Sequence, residues 1–332
     1  MSTTLVRWLA LLVAVSLCAC GNSANRTQTA ASTATALKGT IDEFGAGTLA
    51  APFDALNKQL AQAHSGFSVQ SQFGGSVAMV KNVTELGKNG DVVAVADYSV
   101  IPAQMFGAGG KQRYANWYVG FASNAITFAY TNKSKGASTI TANNWYQVLS
   151  QPGVQIGRSN PDTDPSGYQT LLMLKLAEQY YHQPGLSDRI LANAPPQDMR
   201  DTETDLIAAL ESGQIDYLAI YRSDALQHHF KFLDLPSEIN LSDASKAALY
   251  KTASVQTKNG TQTGTPIIYA ATVPVNAAHT AAGLAYIQAL LGPQGQQALK
   301  NNGFTLVSPA IAAGGAAVPA ALKGLTAPWP GS

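Results

Sequence analysis

Residues 67–86, FSVQSQFGGSVAMVKNVTEL, hold a complete strand–turn–helix unit. Phe67–Phe73 predicts a strand, and Gly74-Gly75-Ser76 stops it. Val77, Val80, Val83 and Leu86 then recur every three residues, which lines them along one face of a helix. Upstream, Thr40–Phe44 predicts a first strand. The turn Gly45-Ala46-Gly47-Thr48 follows it and leads to a helix with Phe53, Leu56 and Leu60 on one side. Downstream, Val92–Ala96 and Ile126–Tyr130 read as short buried strands. Strands that alternate with amphipathic helices define an open α/β sheet.

The same alternation continues beyond residue 130. A helix is expected around Trp145–Leu149, a strand at Val154–Gly157, a loop to Asp164 and a helix over Ser166–Tyr181. Asp205–Ser212 reads as a further helix that stops at Gly213, followed by the strand Ile215–Tyr221. Pro266–Pro274 is apolar throughout most of its length and suits a strand crossing back to the first half. Helices near Ala281–Leu291 and Gln294–Asn301 follow, with Pro293 at the N-terminal edge of the second. No repeat of fixed period runs through the chain. A body from residue 38 to 332 exceeds what one core usually organises, so two lobes are expected. Residues 38–129 plus 271–332 form lobe 1, and residues 130–270 form lobe 2. Each is a mixed sheet flanked by helices, and two crossover strands join them into a clamshell. Ligands in such an arrangement sit in the cleft where strand ends and helix N-termini converge, and hinge closure traps them.

The N-terminus sets the expected compartment. Arg7 precedes an apolar run from Trp8 to Leu17, too short for a bilayer span, which needs about twenty residues. It reads as a signal peptide over residues 1–19. Leu17-Cys18-Ala19-Cys20-Gly21 resembles the bacterial lipobox, with Cys20 as the acylated residue. Residues 20–37 are polar and small and read as a flexible tether. Cys18 and Cys20 are the two cysteines of the sequence, so after cleavage no internal disulfide is possible. The chain is expected to be secreted and lipid-anchored on the outer face of the cytoplasmic membrane. Charge is balanced at 21 Lys+Arg against 20 Asp+Glu. That leaves no basic stripe for nucleic acid, and charged side chains are sparse enough that specificity must come from shaped pockets.

Three turns have the makings of an anion cradle. Gly47-Thr48, Gly75-Ser76 and Ser166-Gly167 each put a hydroxyl or a glycine where a helix begins, and free N–H groups at a helix start favour an oxyanion. Capping of the same helices by Thr48, Ser76 and Ser166 is an equally complete reading. Asp164-Pro165 before a helix likewise reads as an N-cap with proline at the first helical position. Glu211, in Leu210-Glu211-Ser212-Gly213, faces the negative end of its helix, where a carboxylate costs a few tenths of a kcal/mol. An exposed glutamate tolerates that, whereas a buried one needs a partner with positive character. Catalysis by the two carboxylates, as in glycoside hydrolysis, is an alternative. The sequence holds no Gly-x-Ser-x-Gly elbow and no His-Glu-x-x-His. His228 and His229 would diverge by about 100° on a helix and make a poor metal pair.

Several ordered motifs resemble one family. They are Asn82–Lys88 with Asp91–Ser99, Gly157–Pro161 with Asp164–Tyr168 and Leu174–Glu178, and Leu210–Tyr217 with Ile220-Tyr221. Together they are similar to the tungstate/molybdate-binding proteins of archaeal-type ABC importers, from about residue 38 to about residue 312. The resemblance implies a type II periplasmic-binding-protein fold and a non-enzymatic, monomeric receptor. No cofactor is implied; the ligand is tungstate or molybdate, and the partner is an importer permease. It also implies that two carboxylates, matched here by Asp164 and Glu211, approach the metal and bring it to six-coordination. W(VI) and Mo(VI) can accept such oxygens and sulfur in sulfate cannot, so the pair would discriminate against sulfate. Thr48 and Ser76 match the first-lobe oxyanion donors, with Ser166 and with Tyr221 or Tyr217 contributing from the second lobe. Thr48 stands where serine is expected, and Ser166 where cysteine is common. A receptor for sulfate, thiosulfate or phosphate, and a lipoprotein hydrolase, are the readings that compete with this one.

Overall fold

The computed structural model describes residues 37–330. The expected signal peptide and Cys20 lie outside the described residues, as does the tether up to residue 36. Leu37, assigned to the end of that tether, is buried in the core.

The chain first lays down β1 (Gly39–Ala46), β2 (Phe67–Gly74), β3 (Val92–Val95) and β4 (Tyr118–Ser123). It then builds a second sheet from β5 (Ile126–Tyr130), β6 (Ile156–Ser159), β7 (Met199–Arg200), β8 (Tyr217–Tyr221) and β9 (Lys231–Phe232). A separate hairpin follows, β10 (Ser254–Thr257) with β11 (Gly260–Thr263). β12 (Ile268–Thr272), β13 (Thr305–Ala313) and β14 (Thr326–Pro328) return to the first sheet. The strand order is β14-β13-β4-β12-β3-β1-β2 in the first sheet and β7-β6-β8-β5-β9 in the second.

The chain therefore changes sheets at Asn124-Ala125. Ile126–Tyr130, expected in lobe 1, instead pairs with β8 and β9 of the second sheet. The stretch expected to cross back is largely β12, which lies inside the first sheet between β3 and β4. Short apolar strands look alike locally, and only their pairing decides which sheet takes them.

Helices α1 (Ala50–Ala63), α2 (Ser76–Thr84) and α3 (Val100–Met105) belong to the first half. The second sheet is served by α4 (Trp145–Leu149), α5 (Pro165–Tyr180), α6 (Leu186–Leu191), α7 (Ile207–Ser212), α8 (Arg222–Gln227) and α9 (Ala247–Tyr250). α10 (Thr280–Leu291) and α11 (Pro293–Asn301) pack back on the first sheet and on α1. The expected apolar face of α1 is the buried one: Phe53, Leu56 and Leu60 are sealed, and Phe53 meets the rings of Phe73, Phe121 and Tyr286. Pro293 starts α11 as expected.

β1 is parallel to β2 over eight pairs, from Gly39↔Phe67 to Ala46↔Gly74, and parallel to β3. The turns after these strands, at Gly47-Thr48, Gly75-Ser76 and Ala96–Ser99, therefore leave the sheet along one edge. In the second sheet β6 is parallel to β7 and β8. The segments after Ser159, Arg200 and Tyr221 share an edge in the same way, as in open α/β sheets whose ligands sit at the carboxyl ends of strands.

Candidate functional site

The two edges face each other closely. Gly75 has φ −57 and ψ 131, a conformation open to any residue, so its lack of a side chain is a matter of room. A Cβ there would lie 2.4 Å from the Thr163 carbonyl oxygen and 3.2 Å from the Asp164 Cβ. A Cβ on Gly47 would lie 3.4 Å from the Thr204 Oγ1. The two first-sheet turns are thus set against residues 163–164 and 204 of the second half.

Asp164 stands at the N-cap position of α5 with the extended backbone usual there (φ −138, ψ 130). It is 4% exposed, and its Oδ2 has no partner. Several contacts fix the segment that carries it. Asp164 N–H donates to the Asn160 carbonyl at 3.0 Å, and Thr163 Oγ1 donates to the Asp201 carbonyl at 3.0 Å. The tip of the β10–β11 hairpin clasps Asp162: Lys258 N–H donates to its carboxylate at 2.8 Å, with the Lys258 ammonium 3.4 Å away. Gly167 lets the first turn of α5 pack on this segment, since a Cβ would sit 2.7 Å from the Ser159 carbonyl oxygen.

The second carboxylate at this place is Glu203, not Glu211. Glu211 is exposed in the last turn of α7, where the Lys133 ammonium donates to its backbone carbonyl at 2.8 Å. That cation and the left-handed Gly213 satisfy the helix end, and the Glu211 side chain faces outward. The expected helix from Asp205 divides into a 3₁₀ turn, Thr204–Leu206, and α7. Glu203 lies just before that turn, 2% exposed. Hydroxyls of Thr202 and Thr204 at 2.8 Å, and the Asp205 carboxylate on Thr202 N–H at 3.2 Å, set its backbone. A third carboxyl, Asp224 in the first turn of α8, is 1% exposed with Oδ2 unpartnered.

Burial pushes all three carboxyls above the usual carboxylate range. For Asp164 desolvation dominates, opposed by the Glu203 carboxyl, the Ser159 hydroxyl and nearby N–H groups of Ser166 and Glu203. For Glu203 desolvation is followed by the charge of Asp164, and for Asp224 likewise. Among the described residues, none of the three forms an ion pair with a Lys, Arg or His. Carboxyls so enclosed hold protons, or await a centre that accepts their lone pairs.

The predicted hydroxyl donors surround this group, and their hydrogen bonds decide which of them is free to donate. Ser76 Oγ accepts the Ala96 N–H at 2.9 Å and keeps its own proton. Thr48 Oγ1 donates to the Tyr269 hydroxyl at 3.0 Å, and Asn124 Nδ2 donates to the same oxygen at 3.2 Å. Tyr269 therefore keeps a proton to offer, with Thr48 acting through it. Ser166 and Ser159 share a bond of 3.0 Å. Tyr221 is sealed beside the carboxyls, but its hydroxyl donates to Gln169 Oε1 at 2.7 Å. Tyr217 reaches the Lys135 carbonyl instead and belongs to the packing of the second sheet. Tyr269, Glu203 and Asp224 were missed in the sequence. Tyr269 is the one aromatic residue within β12, and nothing local marks it.

Two sheets thus meet around a buried cluster of hydroxyls and carboxyls. The chain belongs to the family of bacterial extracellular solute-binding proteins, whose model matches residues 41–305. It is 37% identical over 310 residues to the molybdate/tungstate-binding protein WtpA of Pyrococcus abyssi, covering 85% of this chain and 88% of that protein. An uncharacterised solute-binding protein of Petrotoga mobilis is 38% identical over 279 residues, covering 82% of this chain and 85% of the relative. Among solved structures, the periplasmic molybdate-binding protein of Azotobacter vinelandii superimposes with a TM-score of 0.60 at 17% identity, over 80% of this chain and 99% of that one. The sulfate-binding protein SubI of Mycobacterium tuberculosis gives 0.58 at 16%, over 82% and 88%. The fold is the type II periplasmic-binding-protein fold.

Proposed function

We propose that this protein captures tungstate or molybdate outside the cytoplasmic membrane and delivers it to an ABC importer permease. The observation that carries this reading is the pair of enclosed carboxyls, Asp164 and Glu203, neither of which forms an ion pair among the described residues. A dianion such as sulfate would add charge to a place that already lacks compensation. W(VI) or Mo(VI) can instead accept an oxygen from each carboxylate, which turns their repulsion into coordination. The hydroxyls of Ser76 and Tyr269 and the N–H groups of the first-sheet turns would hold the oxo groups. Thr48, Ser166 and Tyr221 orient this set through their partners. The similarity to WtpA supports the same cargo. The carboxyls are sealed between two closely apposed edges, an arrangement that disfavours the bulky substrate of a hydrolase.

Titration calorimetry with tungstate, molybdate, sulfate and phosphate tests the reading. Tungstate and molybdate should bind at least about a hundredfold more tightly than sulfate, a difference of about 2.8 kcal/mol. Equal or tighter binding of sulfate would overturn it. We further propose that Cys20 carries the lipid that keeps the receptor at the outer face of the membrane. Cys20→Ser should release the protein from the membrane fraction, and continued association would refute the anchor.

A further inference from the structure

Asp97 follows β3 on the first-sheet edge and is 2% exposed. Its Oδ1 accepts Ser99 N–H at 2.8 Å from its own segment. Its Oδ2 accepts two bonds from the other half of the molecule, from the Tyr168 hydroxyl at 2.9 Å and from Gln169 Nε2 at 3.3 Å, both near the start of α5. Gln169 in turn accepts the Tyr221 hydroxyl. A buried carboxylate is thus satisfied across the gap by neutral donors, which water would have to replace if the halves separated.

We propose that Asp97, Tyr168 and Gln169 form a latch between the halves that holds the receptor closed and retards release of the oxyanion. This rests on the oxyanion reading for its cargo, not for its geometry. The latch is distinct from the coordinating pair: Asp97 stands on the opposite edge from Asp164 and Glu203, and its carboxylate oxygens are already occupied. Hydrogen bonds to a charged acceptor are roughly twice as strong as neutral ones. They also form only when the halves meet, so they favour closure without touching the ligand. Through Gln169 the latch reaches Tyr221, which packs edge-on against Tyr269 at 5.8 Å. Closure at Asp97 therefore also sets the ring that presents the Tyr269 hydroxyl. Outside the latch, Tyr168 and Ser99 line a cavity of about 560 Å³ that also holds Lys81, Lys111 and Lys258. Tyr168 thus stands between a lysine-lined opening and the sealed site.

Tyr168→Phe removes one hydroxyl and keeps the ring, and Asp97→Asn keeps the shape and removes the charge. Small-angle X-ray scattering of the ligand-free proteins reads closure alone, and stopped-flow fluorescence reads oxyanion release. Each variant is expected to have a larger ligand-free radius of gyration than wild type. Each is expected to release tungstate at least about tenfold faster, with its association rate changed less than about threefold. Thermal unfolding separates a weakened latch from a damaged fold, because the latch predicts wider lobes at a near-native melting temperature. Radii equal to wild type, or unchanged release, would overturn the proposal. Failure of the oxyanion reading appears elsewhere, as absent heats for tungstate and molybdate in the wild-type protein, while the scattering arm still reports on the latch.

Discussion

Replacing Gly75 by alanine adds one methyl group at the closest approach of the two halves. The backbone at Gly75 suits alanine (φ −57, ψ 131), so the substitution carries no conformational penalty. The added Cβ would lie 2.4 Å from the Thr163 carbonyl oxygen, against about 3.5 Å for an unstrained contact between heavy atoms. The second-sheet edge must therefore retreat by about 1 Å. Thr163 is a backbone contact held by Asn160 and by the Lys258 clasp, so it yields poorly. Overpacking of this kind costs about 1–3 kcal/mol. Separation of the halves relieves it at once, so the cost falls on the closed form, with or without ligand. At 1.4 kcal/mol per decade, tungstate affinity should fall roughly five- to 150-fold. Calorimetry measures the loss, and the ligand-free variant should show a larger radius of gyration than wild type in small-angle scattering. Gly74→Ala is the control: its Cβ would meet only the Met79 Cε, at 2.9 Å, which is the movable end of a flexible side chain. It should bind within about threefold of wild type. Wild-type affinity in Gly75→Ala, or an equal loss in Gly74→Ala, would refute the reasoning.

Three further outcomes follow from the same geometry. Glu203→Gln should lose at least about thirtyfold in tungstate affinity while Glu211→Gln stays within about twofold, and calorimetry giving the reverse order would return the second carboxylate to α7. Ligand-free stability should depend on pH in a defined direction. Asp164, Glu203 and Asp224 all have folded pKa values raised by burial, and so does Glu43. Their contribution to stability is full below the unfolded carboxyl values of about 4 and is lost as pH rises through the folded values. The ligand-free melting temperature should therefore rise between about pH 8 and pH 5.5, and Asp164→Asn with Glu203→Gln should flatten most of that rise. Tyr269→Phe leaves Thr48 Oγ1 and Asn124 Nδ2 without the oxygen they share. Denaturant unfolding should show a loss of about 1–3 kcal/mol, accompanied by weaker oxyanion binding.

Much of the scaffold was legible because it is written in local periodicity. Val77, Val80 and Val83 are buried on α2 as expected, although Leu86 lies past the helix end and is exposed, and α4, α5, α10 and α11 lie within a residue or so of their expected bounds. What periodicity could not supply was pairing. Ile126–Tyr130 is a strand on its own evidence, but its assignment to the second sheet depends on β8 and β9. The carboxylates divide along the same line. Asp164 stands at the N-cap position that Asp-Pro and a helix start suggested, but its carboxyl is buried beside Glu203 and Ser159 rather than left at a solvated helix end. Glu203 sits in Asp201-Thr202-Glu203-Thr204, a polar run that reads as a solvated turn. It is buried because β7 pairs parallel with β6, which brings the segment after Arg200 to the edge that carries Asp164. Glu211, in the more recognisable helical motif, is carried away from that edge by the turns of α7. A carboxylate's role here is set by its distance from the end of a parallel strand, and that distance is fixed by the sheet rather than by the residues around it. The same rule explains why the three parallel-strand ends of each sheet supply most of the site, while Tyr269, from antiparallel β12, enters from within the sheet.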